Sequence, residues 1–272
     1  MLAARRISVW ARVFTTFELI FNQAVYNVRK THGNAIVGLM LNIAQTALLV
    51  AVFMAIFLFA GMRGASIRGD LLLFLMTGVF LFMAHVKVIS AVANAEGPAS
   101  AIMKHRPMNP IIAICGAAVA ELYIQVLSII VILFLYHALW TPITIYKPVA
   151  TFGIFLSVWF AGFSIGVAMY ALKPWFPQAT KLITMFYSRL NMVASGKFFL
   201  ANMLPSQMLP YFMWNPLFQG IDQARGFAFI NYNPLHTWAL YPLTVGVGVL
   251  VMGMLGEFYT RNNVSLSWSA KQ

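Results

Sequence analysis

Lys87, Glu121 and Arg189 stand inside long apolar runs of this chain. A charge within a bilayer is costly, so such residues mark ion paths, proton sites or helix-locking pairs. Glu121 lies about ten residues past the start of its run, or ~15 Å at helical rise. Lys87 lies about six residues, or ~9 Å, from the end of its own run, and Arg189 ~13 Å into a third. The three can meet at one level. A pair between Glu121 and Lys87 or Arg189 would then fix helix packing near the inner mouth of a pathway. The plainer alternative has Lys87 snorkelling to the headgroups and Arg189 facing a subunit interface.

Catalytic signatures are missing. Ser195-Gly196-Lys197 imitates the end of a phosphate-binding loop, but it lacks the upstream glycine and the following Ser or Thr. There is no HExxH and no GxSxG. The single Cys115 rules out an intramolecular disulfide and a cysteine-cluster metal site, and no metal site is expected. Active transport by such a chain needs an ion gradient or a separate ATPase. Phe186, Tyr187, Phe198, Phe199, Tyr211, Phe212 and Trp214 are candidates to line a pathway, with Arg189 beside them, because sugar rings stack on aromatic faces. Each also fits an interfacial belt.

The elements that would position these groups are membrane helices. The chain is 61% hydrophobic and 9% charged, with 15% aromatics and a formal charge of +12. A soluble domain carries about 25% charged residues. The basic excess forms no patch on a soluble face, so nucleic acid is not an expected partner. Spans are expected at about 35–60, 71–93, 111–139, 149–172, from 179 onward, and 235–259. Residues 8–30 read as an amphipathic helix lying in the interface. No cleaved signal peptide is expected. Gly162 and Gly166 have a GxxxG spacing that permits close helix contact. The loop 94–110 can form a brief helix that docks a cytoplasmic partner, or a plain turn.

Six spans put both termini on one side. That side would hold Arg5, Arg6, Arg12, Arg29, Lys30, Lys104, Arg106, Lys173, Lys181, Arg261 and Lys271. The other would hold Arg63, Arg68, Lys147 and Arg225. The asymmetry places both termini in the cytoplasm. Between the last two spans, Pro205, Pro210 and Pro216 forbid one straight helix, yet the stretch stays apolar. It either dips into the membrane and returns, or lies on the outer surface as an amphipathic loop.

The series Ser195-Gly196, Leu204-Pro205, Trp214-Asn215-Pro216-Leu217, Ile221-Asp222 and Arg225 resembles a known family: the membrane subunits of ABC exporters for bacterial polysaccharides, of the capsule and O-antigen type. Glu121 matches a glutamate that follows that family's docking loop. Asp222 replaces a usual glutamate, and Lys197 replaces a common apolar residue. The resemblance implies an all-α polytopic membrane protein of six helices, one transmembrane domain over 1–272, in the bacterial inner membrane. It implies a non-catalytic permease that is a homodimer among membrane lipids, with two copies of a cytoplasmic ATPase below. ATP and Mg would sit on that ATPase, with no cofactor on this chain. Ser100, Met103, Lys104 and Arg106 would dock it. A hairpin at 198–225, with Ser195, Gly196, Pro205, Asn215, Pro216, Asp222 and Arg225, would gate a polysaccharide, lipid-linked or free. Periplasmic or outer-membrane export proteins would lie beyond.

Other functions fit the same sequence: an ABC exporter of a drug or lipid, an ion-coupled transporter with Glu121 as proton site, or a membrane-embedded enzyme. The shortage of Asp, Glu and His at paired spacing disfavours the last.

Overall fold

The computed structural model describes residues 9–30, 34–59, 70–96 and 109–263. These hold α-helices and one short 3-10 turn, with no strand among them. The helices are α1 (Val9–Lys30), α2 (Ala35–Phe59), α3 (Leu71–Ala93), α4 (Pro110–Leu139), α5 (Pro148–Leu172), α6 (Pro177–Ala194), α7 (Leu209–Met213), α8 (Pro216–Ala228) and α9 (Tyr241–Asn263). The 3-10 turn is Ala201–Met203. Five of them, α2, α3, α4, α5 and α9, are long and apolar enough to cross a membrane.

Helix starts follow local chemistry. Asp70 accepts the Leu72 amide at 2.8 Å, Asn109 that of Ile111 at 3.2 Å, and Asn215 that of Leu217 at 3.0 Å. Each caps an amide that has no partner within its own helix. Pro110, Pro148, Pro177 and Pro216 open their helices, where a missing N–H costs nothing.

Two expected spans differ. In place of a full span from 179, α6 is an 18-residue helix carrying Lys181 and Arg189, and it is not among the five. The last helix begins at Tyr241, not at 235. The amides of Leu235 and Trp238 go instead to the side chains of Asn202 and Gln219, at 3.1 and 3.0 Å. Those bonds hold 235–240 as a connection, and Pro242 fits the first turn that follows.

Helix α3 is the axle of the bundle. It packs against α2, α4, α5, α6 and α8, and its side chains are buried along most of its length. Helix α5 lies along α3 on one side and α9 on the other. The contact with α3 uses the GxxxG pair: a Cβ on Gly162 would stand 2.7 Å from the His85 carbonyl oxygen, and one on Gly166 2.8 Å from Val92 Cβ. Gly162→Leu is therefore expected to force the two helices apart, at about 1–3 kcal/mol. Thermal unfolding in detergent measures it, with Gly153→Ala on the open face of α5 as control, since nothing lies within 4 Å there.

The two ends of the bundle differ. At one end, Trp175 Nε1 donates to the Thr260 hydroxyl, which donates to the Ala171 carbonyl. There too the Lys30 ammonium meets Glu96 at 2.6 Å. That bond holds the lysine above its ordinary pKa, so its small, solvent-screened stabilisation is full below the ordinary value and fades as pH climbs through the raised one. At the other end, the amides of Tyr146 and Lys147 donate to the carbonyls of Ala228 and Phe227, at 3.1 and 2.8 Å. These two main-chain bonds join the start of α5 to the end of α8.

Helix α1 lies on α4, with Gln23 and Ala24 against Gly116. Trp10, Phe14, Phe17 and Phe21 recur on one face and are exposed. Arg5, Arg6, Arg63, Arg68, Lys271 and the loop 97–108, with Ser100, Met103, Lys104 and Arg106, lie outside the described residues.

Candidate functional site

The series that ends at Arg225 folds into one buried knot. Helix α6 stops at Ala194, and Gly196 takes a φ of +72°, a left-handed turn that glycine adopts without strain. The chain then runs past Leu200 to Ala201 and Asn202. Helix α7 brings it back, and the Asn215 side chain donates to Asn191 Oδ1 at 2.7 Å and to the Ala194 carbonyl at 3.2 Å. It has returned to the end of α6. From there α8 rises between α3, α5 and α9.

Arg225 on α8 is 0% exposed. Its Nη1 donates to the carbonyls of Gly196 and Phe199 at 2.7 and 2.9 Å, and its Nη2 to that of Lys197 at 2.6 Å. Its Cζ lies 3.8 Å from the centre of the Phe74 ring. The turn after α6 has carbonyls that no helix can use, and a planar guanidinium with several donors satisfies three of them at once. Gly78 makes the room, since a Cβ there would stand 2.7 Å from Lys197 Cβ. One turn earlier on α8, Asp222 accepts from the Ala201 amide at 3.2 Å, the Thr237 hydroxyl at 2.8 Å and the Tyr232 hydroxyl. Together Arg225 and Asp222 clamp both ends of 196–201 to α8.

No family model and no curated protein matches the chain. The geometry of the site therefore bears the weight of what it can do.

Ser195, Gly196, Asn215, Pro216, Asp222 and Arg225 come together. Pro205 does not join them and is exposed at the tip of the excursion. Lys197, at a position where the resemblance implies an apolar residue, is 0% exposed. Its Nζ lies 3.5 Å from the centre of the Phe82 ring and about 5 Å from those of Phe53 and Phe198. Three phenyl rings offer it their negative faces in place of a carboxylate.

The aromatic candidates spread over several places. Phe186 is exposed on α6. Tyr187 turns inward, its hydroxyl 2.9 Å from His85 Nε2, while Nδ1 of that ring lies 2.9 Å from the Val158 carbonyl. A carbonyl only accepts, so in the neutral ring Nδ1 carries the proton and Nε2 accepts from Tyr187. Phe198 packs on Phe53 in the core, and Phe199 on Phe212 and Phe218. Tyr211 and Trp214 are 83% and 81% exposed.

Lys87, Glu121 and Arg189 form no ion pair. Glu121 accepts from Gln125 at 2.7 Å, and Lys87 donates to Gln45 at 2.7 Å. Arg189 faces a cleft between α3 and α6, which Lys87 also lines. The same Gln125 Nε2 lies 3.2 Å from Asn42 Oδ1, and Asn42 Nδ2 donates to the Ser128 hydroxyl at 2.8 Å. Sequence reasoning misses both this polar chain through α2 and α4 and the His85 link through α3, α5 and α6. The i, i+4 spacing of Glu121 and Gln125 is the one legible trace of either.

Proposed function

We propose that this chain is the membrane subunit of an ABC exporter for a bacterial cell-surface polysaccharide. The observation that carries the reading is the excursion from Ser195 to Ala228. Its backbone is interrupted, it returns to the end of α6, and Arg225 and Asp222 satisfy four of its main-chain polar groups inside an apolar helical bundle. Irregular backbone within a bilayer needs such internal satisfaction.

In this reading α6 and the excursion complete a sixth crossing, and α7 and α8 form a re-entrant gate. Helix α1 lies in the interface with its exposed aromatic face in lipid. The Lys30, Lys173 and Arg261 end faces the cytoplasm of an inner-membrane protein, following the positive-inside rule. The exposed Tyr211 and Trp214 belong to a route shared by two copies, which is how aromatics scattered on one chain could line one channel. ATP hydrolysis, with its Mg, belongs to a separate pair of ATPase subunits docked at the loop after α3. Purification of the tagged chain from its native membranes is expected to bring down an ATPase carrying a phosphate-binding loop. Polysaccharide should then be translocated in vesicles only when ATP is supplied. Transport by the chain alone, without ATP, would sink the reading.

One observation favours a second reading, an ion-coupled transporter. The chain Glu121, Gln125, Asn42, Ser128 is a run of hydrogen-bonding groups inside apolar helices, and such runs serve proton paths. Glu121→Gln would then abolish gradient-driven uptake. In an ABC subunit it would leave ATP-driven transport within a few-fold of normal.

A further inference from the structure

A cavity of about 850 Å³ opens between the C-terminal half of α3 and the stretch of α6 from Pro177 to Arg189. Lys87, Lys173, Lys181 and Arg189 all line it, and no Asp or Glu does. Lys181 and Arg189 are eight residues apart on α6, so the cations form a ladder about 12 Å tall. It lies toward the end of the bundle where α3 finishes at Ala93 and α6 begins at Pro177.

The four cations are not equally engaged. Lys87 donates to Gln45, and Lys173 to the Ala93 carbonyl and to Asn94 Oδ1, each at 3.2 Å. Lys181 and Arg189 have neither an ion pair nor a side-chain hydrogen bond among the described residues. Glu121 is bonded to Gln125 and does not line the cavity. Like charges gathered in one cleft without a counter-charge repel, and an anion placed among them relieves that repulsion. The cleft has a second character. Met83, Val86 and Met185 also line it, and Leu182 and Phe186 are exposed on the same helix. A free inorganic anion has no use for apolar walls, whereas a lipid has.

We propose that this cleft binds the phosphate groups of an anionic lipid, with Lys181 and Arg189 on the headgroup and the tails along Met83, Val86 and Met185. Basic pockets between membrane helices on the cytoplasmic side suit such headgroups, and the arginine fork matches two phosphate oxygens. The lining residues and the five membrane-compatible helices suffice for such a site, whether or not the chain is an exporter.

The test uses the full chain in detergent, stripped of lipid, with no ATPase present. Mixed micelles containing phosphatidylglycerol, cardiolipin or phosphatidylcholine are titrated in, and inorganic pyrophosphate separately. Binding is read by native mass spectrometry. The wild type is expected to retain the two anionic lipids and neither phosphatidylcholine nor pyrophosphate. The double variant Lys181→Gln, Arg189→Gln should bind them about thirtyfold less. The exchange Lys181→Arg, Arg189→Lys should bind nearly as well as wild type, which separates charge from fold, and Lys147→Gln at the far end should change nothing. Equal retention by the glutamine variant, or of phosphatidylcholine, overturns the proposal. So does pyrophosphate binding as tight as the lipids.

Discussion

Arg225→Met is expected to cost the folded protein on the order of 3–9 kcal/mol. The guanidinium is fully buried and serves the carbonyls of Gly196, Lys197 and Phe199. Methionine of similar length keeps the volume but leaves three buried acceptors without donors, at about 1–3 kcal/mol each. Replacing a whole buried ion pair with apolar residues is often neutral or stabilising, but the case differs here. The acceptors are main-chain atoms, so no substitution at 225 removes them. Arg225→Lys should recover part of the loss, since an ammonium has three donors but lacks the planar fork that reaches Gly196 and Phe199 with one nitrogen and Lys197 with the other. Thermal unfolding of the purified chain in detergent, followed by tryptophan fluorescence, measures both. An unchanged midpoint for Arg225→Met would show that the turn after α6 does not depend on this residue.

Gly196→Ala is the second large loss, at about 2–5 kcal/mol. A left-handed φ costs an alanine about 1–2 kcal/mol. The new Cβ would also stand 2.5 Å from Phe218 Cδ2, and overpacking of this kind adds about 1–3 kcal/mol. Phe218 cannot easily give way, because Phe199 and Phe212 pack against its ring. The control is Gly248→Ala on α9, which would meet nothing within 4 Å and should gain about 0.5–1 kcal/mol from helix propensity. The same unfolding measurement should move in opposite directions for the two glycines. A loss at both positions, or at neither, would contradict the geometry at Gly196.

Parts of this architecture are legible in the amino-acid sequence itself. The helix at 71–93 has the bounds its apolar run implies, because Asp70 caps its start and the run ends at Asn94. Ser195, Gly196, Asn215, Asp222 and Arg225 form one series in the sequence, and they meet in space. The rest is hidden for identifiable reasons. Periodicity separates the two faces of α6 but not which one turns inward: Thr180 and Asn191 are buried while Leu182, Phe186 and Val193 are exposed, the reverse of a helix in water. It does not show that Tyr187 turns inward while Phe186 turns out. His85 sits in an apolar run like its neighbours, and its partners Val158 and Tyr187 are 73 and 102 residues away. A Lys87–Glu121–Arg189 cluster follows from depth alone. Depth fixes level but not azimuth, and the nearest use for Glu121 is a glutamine one turn along its own helix. The start of α9 is obscured because the acceptors that hold 235–240 outside the helix come from Asn202 and Gln219, far upstream.

The two main-chain bonds from Tyr146 and Lys147 to Ala228 and Phe227 fasten one extremity of α8 differently from the other. Where it meets α5 it is sewn, backbone to backbone. Where it begins, its ties to the end of α6 are bonds of the Asn215 side chain, to Asn191 and to the Ala194 carbonyl. Substitutions can therefore loosen the start of α8 one side chain at a time, whereas the seam with α5 yields only to a proline at 146 or 147, which removes the donor itself.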